Sequence, residues 1–92
     1  MLQLFKISGN SLFPLYKDGE RVLCRKVFSS TKLRVKDTVV FKKNTHGMMI
    51  KQVKSINEQG YFVEGTDPMS IDSRNFGSVT KEEIKYKVLF KF

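Results

Sequence analysis

Ser11 and two possible bases, His46 and Lys51, are the residues of this sequence whose types could support hydrolytic chemistry. A serine hydroxyl is a weak nucleophile at neutral pH, so it needs a base within hydrogen-bond distance to accept its proton. His46 is the only histidine, and its polar surroundings predict an exposed hairpin turn. A neutral lysine is the alternative base, as in Ser-Lys dyads.

Lys51 lies in a segment, residues 48–54, whose pattern predicts a β-strand. Because side chains alternate along a strand, Met49, Lys51 and Val53 would share one face, with the amine between two apolar neighbours. A free lysine has a pKa near ~10.4, and burial lowers it toward the range in which the amine is neutral. Taken alone, the strand pattern also allows Lys51, one of thirteen lysines, to point to water.

Three segments, in this order, resemble the signal peptidase I family of serine/lysine peptidases. Residues 7–14 (ISGNSLFP) are similar to its nucleophile segment S-G-x-S-M-x-P. Residues 50–53 (IKQV) are similar to its general-base strand K-R-V, and residues 70–77 (SIDSRNFG) to its segment S-x-D-S-R-x-F-G. Ser11 and Lys51 are separated by 40 residues, which is typical of these peptidases. The resemblance extends from about Leu4 to the C-terminus.

The resemblance implies an activity and a set of site residues. The activity is that of a serine endopeptidase that removes a signal peptide or propeptide through an acyl-enzyme, with Ser11 as nucleophile and Lys51 as general base. Ser70 would hydrogen-bond Lys51 and fix its position, and Asp72 and Arg74 would form an ion pair that braces the same loop. The backbone amide of Ser11 would donate to the oxyanion. No cofactor and no metal are implied.

The expected substrate cleft surrounds the nucleophile turn. Glycine at position 9 permits a backbone conformation closed to residues with a Cβ, and brings the chain close to a substrate strand. Some family members carry a hydroxyl here that helps to bind the oxyanion, so a second oxyanion donor is not assigned. The cleft candidates are Gly9, Asn10, Leu12 and Pro14. We expect the partner to be an extended peptide segment of a protein substrate, paired with a strand edge beside Ser11.

Several positions depart from the family pattern. Leu12 replaces Met, Gln52 replaces the Arg that follows the base, and residues 65–68 (GTDP) differ from the usual start of the third segment. Glu20 and Lys36 replace residues of two expected Gly-Asp turns. Among subfamilies, the chain looks most like the small maturation proteases of nickel-type superoxide dismutase. A signal peptidase proper and a conjugative-transfer peptidase remain alternatives.

Short apolar runs separated by turn residues predict an all-β fold, mostly antiparallel, with at most one short helical turn. The predicted strands are residues 2–8, 21–27, 38–42, 48–56, 61–65 and 85–92. Thr80 and Glu83 have capping-box spacing and predict the helical turn. Residues 66–78 form a polar segment too long for a turn, which predicts a working loop. We expect residues 1–92 to form a single catalytic domain.

Composition limits the partners. The net charge of +8 could indicate an anionic partner, but the basic residues are spread along the chain and Lys outnumbers Arg thirteen to four. We therefore expect no nucleic-acid partner. Cys24 is alone, so we expect a small core residue, with no internal disulfide and no metal site. No 18-residue apolar run is present, so we expect a soluble, cytoplasmic enzyme, with peripheral membrane contact as a further possibility.

A function of another class stays open. The chain could be a non-catalytic β module that binds a peptide strand at a sheet edge, or an anionic surface. Ser11, Lys51 and Ser70 together argue against this alternative, because a binding module has no need of a base.

Overall fold

The computed structural model describes residues 1–9, 12–43 and 47–92, and these contain six strands and two short helical turns. The strands are β1 (Leu2–Lys6), β2 (Arg21–Lys26), β3 (Thr38–Lys42), β4 (Met48–Asn57), β5 (Gly60–Glu64) and β6 (Ile84–Lys91). The helical turns are α1 (Ser73–Phe76) and a 3-10 turn (Lys81–Glu83). All strands pair antiparallel in one sheet, in the order β1-β2-β6-β3-β4-β5. The predicted mostly antiparallel β fold is confirmed.

Each strand begins and ends within two residues of its predicted bounds, because turn residues separate the apolar runs. The β4–β5 hairpin shows this most clearly. Gly60 has a φ of +127°, and a Cβ at this position would lie 2.3 Å from the carbonyl oxygen of Val79. Glycine therefore allows Val79 to approach and to pair with Tyr61.

The last strand in the sequence lies at the centre of the sheet. Lys87 of β6 pairs with Arg25 on β2 and with Val39 on β3. β6 thus joins a first half of the sheet, β1 and β2, to a second half made of β3, β4 and β5.

Apolar side chains cover both faces of the sheet. Val39 and Phe41 alternate with Val40 along β3, and all three are buried. One cluster consists of Leu33, Val39, Phe41, Val53, Val63, Val79 and Ile84. The other consists of Ile7, Val22, Cys24, Val40 and Val88. Cys24 is fully buried, as predicted, and burial raises the pKa of its thiol to about 11.

Two helical turns shape the segment between β5 and β6. At the 3-10 turn, Thr80 and Glu83 form the predicted capping box. The structure adds a second turn, α1, which the sequence did not lead us to predict; Asp72 is its N-cap and Asn75 completes a capping box. In the described ranges, no helix is long and apolar enough to cross a membrane.

Candidate active site

Lys51 is a buried lysine on β4. It pairs with Val39 of β3, and only 6% of its surface is exposed. Val53, two residues along the strand, belongs to the core cluster against which Met49 packs, so the predicted alternation is confirmed. Burial lowers the pKa of the Lys51 amine because a charged ammonium loses its hydration there.

Three charged residues of the loop that follows β5 act on the same amine. Asp72 and Asp67 raise the pKa of Lys51, whereas Arg74 lowers it, and all three effects are smaller than that of burial. The net result is a pKa below the ordinary lysine value. The loop therefore lies within electrostatic reach of Lys51.

The Asp72 carboxylate is the central hydrogen-bond acceptor of that loop. Its carboxylate is fully buried and accepts hydrogen bonds from the backbone amides of Gly65, at 2.9 Å, and Arg74, at 3.0 Å. The Arg74 guanidinium adds two bonds, from Nε at 2.9 Å and from Nη2 at 2.7 Å, so the predicted ion pair is present. Burial alone would raise the pKa of Asp72, but the bonds from Arg74, Gly65 and Ser70 outweigh it and hold the pKa well below its usual range.

Ser70 takes part in the same network. Its Oγ donates to Asp72 Oδ2 at 2.9 Å and accepts from Arg74 Nη2 at 3.3 Å. Within the described part of the chain, Ser70 makes no hydrogen bond to Lys51 Nζ. The single hydroxyl proton goes to the charged carboxylate because a charge-assisted bond is the stronger one. The role of Ser70 in orienting Lys51 stays a prediction.

The proposed nucleophile Ser11 lies outside the described residues, as do its neighbour Asn10 and the histidine His46. Gly9, the last described residue before Asn10 and Ser11, is held in place. Gly9 has a φ of +86°, and its amide donates to Asp18 Oδ1 at 2.8 Å.

Beyond the nucleophile position, the chain is tied to the loop that follows β5. Leu12 is buried, with 2% exposure, so it anchors this segment inside the fold. The Phe13 carbonyl accepts a hydrogen bond from Thr66 Oγ1. Because the loop that begins at Thr66 also carries the charges that act on Lys51, the fold brings all three sequence segments to one region.

A groove of about 320 Å³ lies beside Lys51. Residues 5–8 line one side and residues 48–51 line the other, with Val40 between them. On the side away from β3, β4 pairs with β5 only from Gln52 onward, so in the described chain residues 48–51 have no strand partner there. β1 is one of the two edge strands of the sheet, the other being β5. Both walls of this groove, called here the Lys51 groove, thus include open strand edges.

Sequence reasoning found part of this site and missed other parts. The described cleft candidates Gly9, Leu12 and Pro14 do not line the Lys51 groove. The Lys51 strand was predicted as one wall, whereas the wall formed by residues 5–8 was not.

Thr66 and Asp67 were noted only as departures from the family pattern. Their positions in the long polar segment 66–78 indicated a working loop. The contact of Thr66 with Phe13 could not be predicted, because it depends on tertiary structure.

The comparisons with known proteins add no assignment to this geometry. No protein-family model matches the chain, and a search of curated proteins finds no match.

Proposed function

We propose that this protein is a serine endopeptidase in which Ser11 is the nucleophile and Lys51 the general base. The observation that carries the proposal is the buried Lys51 amine, whose pKa is lowered by burial and which lines a groove with open strand edges. Only the neutral amine can accept a proton, and a lowered pKa increases the fraction of lysine that is neutral near pH 7. The resemblance of the sequence to signal peptidase I supports the choice of Ser11.

In the proposed reaction, neutral Lys51 accepts the proton of Ser11 Oγ as that oxygen attacks the substrate carbonyl carbon. The backbone amide of Ser11 donates to the oxyanion that forms. Collapse of the tetrahedral intermediate breaks the peptide C–N bond, and the leaving amine takes the proton from Lys51. Water then attacks the acyl-enzyme ester with Lys51 again as base, which releases the carboxylate product and restores Ser11.

The substrate in this proposal is an extended segment of another protein, a signal peptide or a propeptide. The unpaired edge at residues 48–51 can receive such a segment by backbone hydrogen bonds, while side chains at alternate positions enter the groove. The resemblance further suggests small residues beside the cleaved bond.

A peptide-library digest tests the proposal. The purified protein is incubated with the library, and new termini are identified by mass spectrometry. We expect Ser11→Ala and Lys51→Ala each to lower kcat/KM by at least ~10³-fold, and the double variant to be little worse, because the two residues act as a unit. Lys54→Ala is the matched control, since Lys54 is an exposed lysine on the same strand.

Two outcomes would contradict this assignment. Substantial turnover by Lys51→Ala would mean that another group accepts the proton, and loss of turnover in His46→Ala would point to the histidine. Peptides that bind to the Lys51 groove without being cut would instead favour the non-catalytic β module. Intact-mass detection of an acyl adduct on Ser11 separates these possibilities.

A further inference from the structure

A second cavity, of about 640 Å³, lies next to the Lys51 groove. Met48 lines both cavities. The Phe5 ring lines the Lys51 groove and the Tyr86 ring lines the second cavity. The two rings meet at the boundary between the cavities, with centroids 5.1 Å apart. An extended chain that fills the Lys51 groove can therefore continue over Met48 into the second cavity.

The second cavity is called here the basic groove, and its wall includes Lys26, Phe28, Met48, Lys81, Lys85 and Tyr86. Phe28 and Met48 leave about half of their surfaces exposed, 53% and 48%. Exposed apolar side chains inside a cavity are available for contact with a ligand.

Bonds to the backbone hold two of the ammonium groups in position. Lys81 Nζ donates to the carbonyl oxygens of Ser29, at 2.8 Å, and Thr31. Lys85 Nζ donates to the carbonyl oxygen of Glu82 at 2.8 Å. Each ammonium carries three donors, so both retain donors for a ligand.

The cations of the basic groove are not neutralised by carboxylates. Lys26 Nζ lies 5.8 Å from the centre of the Phe28 ring. The four ion pairs of the described residues involve other cations, so Lys26, Lys81 and Lys85 have no carboxylate partner within residues 1–9, 12–43 and 47–92. Glu82 is the one acidic residue in the described wall, which leaves an excess of positive charge.

We infer that the basic groove binds an acidic segment of the substrate protein, remote from the bond that is cut. The inference rests on the proposed function, because the Lys51 groove supplies the path along which the substrate reaches Met48. Three unpaired cations around an apolar floor complement a short peptide stretch in which Asp or Glu residues flank an apolar side chain. The concave shape suits a peptide segment, because an extended chain can lie along a groove and bury its side chains there.

Binding of a labelled peptide tests the inference directly. The probe is a fluorescent ten-residue peptide with three Asp or Glu residues around one Leu, compared with its Asn/Gln counterpart, on a Ser11→Ala background so that nothing is cut. We expect Lys26→Glu/Lys85→Glu to weaken binding of the acidic peptide about tenfold, because two attractive contacts become repulsive. The neutral counterpart should bind weakly to both proteins.

Matched variants keep the test decisive. Lys17→Glu/Lys54→Glu makes the same change in net charge at two exposed lysines that line neither groove, and should leave binding unchanged. If Lys26→Glu/Lys85→Glu does not fold, as judged by circular dichroism, Lys26→Gln/Lys85→Gln replaces it with an expected loss of about threefold. Equal losses in the control and the test variants would overturn the inference, since only overall charge would then matter.

Cleavage kinetics separate this inference from the proposed function. With Ser11 intact, Lys26→Glu/Lys85→Glu should lower kcat/KM for a long substrate that carries the acidic segment, and leave a six-residue substrate unaffected. Absence of cleavage in every protein, with selective peptide binding retained, would refute the peptidase but not the basic groove. Selective loss of binding to phosphatidylserine vesicles, with peptide binding unchanged, would instead assign the lysines to lipid.

Discussion

Lys51 combines a charged side chain with a position that disfavours the charge. The ammonium is buried beside the core cluster, and only part of the lost hydration is replaced by the electrostatic effects of Asp72 and Asp67. A lysine in this environment lowers stability while its amine is protonated. The same property makes the amine available as a base.

We expect Lys51→Met to stabilise the fold, by about 1 kcal/mol at neutral pH, because an apolar side chain of similar length has no charge to desolvate. The folded-state pKa of Lys51 is lowered, so the unfolded chain binds this proton more tightly. The increase in the free energy of unfolding should therefore be complete below the folded-state pKa of Lys51. It should vanish as the pH rises toward the ordinary pKa of lysine. Urea unfolding at several pH values measures it, with exposed Lys54→Met as control.

Equal stability of Lys51→Met and the parent protein at every pH would mean that the amine remains hydrated in the folded state.

Asp67 offers a way to move the pKa of Lys51 without touching the proposed dyad. Its carboxylate raises that pKa, and its Oδ1 accepts from the Met69 amide at 2.9 Å, a bond that an asparagine oxygen can keep. We expect Asp67→Asn to shift the acidic limb of the pH profile of kcat/KM to lower pH, because neutral Lys51 then persists further into acid. Exposed Glu58→Gln is the control and should leave the limb in place.

A shift of that limb to higher pH after Asp67→Asn would show that a group other than Lys51 controls the profile.

The turn that leads into β3 explains one departure from the family pattern. Lys36 stands where the resemblance expects glycine, and it is the one non-glycine residue with a positive φ, +80°, among the described residues. Its amide donates to the Val53 carbonyl and its carbonyl accepts from Gln52 Nε2, so the turn is fastened to β4 next to Lys51. The backbone bonds hold Lys36 in a conformation that a Cβ disfavours.

We expect Lys36→Gly to raise the free energy of unfolding by about 0.5–1 kcal/mol, because relief of the left-handed strain exceeds the entropy that glycine adds to the unfolded chain. Lys36→Ala removes the same side chain but keeps the Cβ, and should leave stability nearly unchanged. Thermal and urea unfolding compare the three proteins. A less stable Lys36→Gly would mean that the turn carries no such strain.

The elements differ in how far the sequence could predict them. Strands followed from alternation and from turn residues, and the capping box at Thr80 marked the 3-10 turn. α1 was missed although Asp72, Asn75 and Gly77 form its caps, because a four-residue helix is too short to show periodicity. Of the five donors around Asp72, the two from the Arg74 guanidinium belong to the predicted ion pair. The Ser70 hydroxyl and the amides of Gly65 and Arg74 were not predicted, since they approach the carboxylate only in the folded loop.

At the scale of the whole molecule, the net charge of +8 allows a competing picture in which anionic lipid or nucleic acid holds the protein. We expect turnover of a short, uncharged peptide substrate to need neither. It should change by less than about twofold when the ionic strength rises from about 0.05 to about 0.3 M, because the proposed reaction depends on buried groups that salt screens weakly. Turnover that appears only with anionic vesicles would contradict this expectation and place the reaction at a membrane surface.

The central position of β6 has a consequence for the order of events during synthesis. Residues 5–8 of the Lys51 groove belong to the first half of the sheet and residues 48–51 to the second, and β6 pairs with both halves. A ribosome that has released only the first five strands has therefore delivered both walls of the groove, but not the strand that holds them together. Because such long-range pairing must wait for the whole segment, the groove forms late, after Ile84–Lys91 has emerged. Any chemistry proposed for the groove must therefore wait until β6 has left the ribosome.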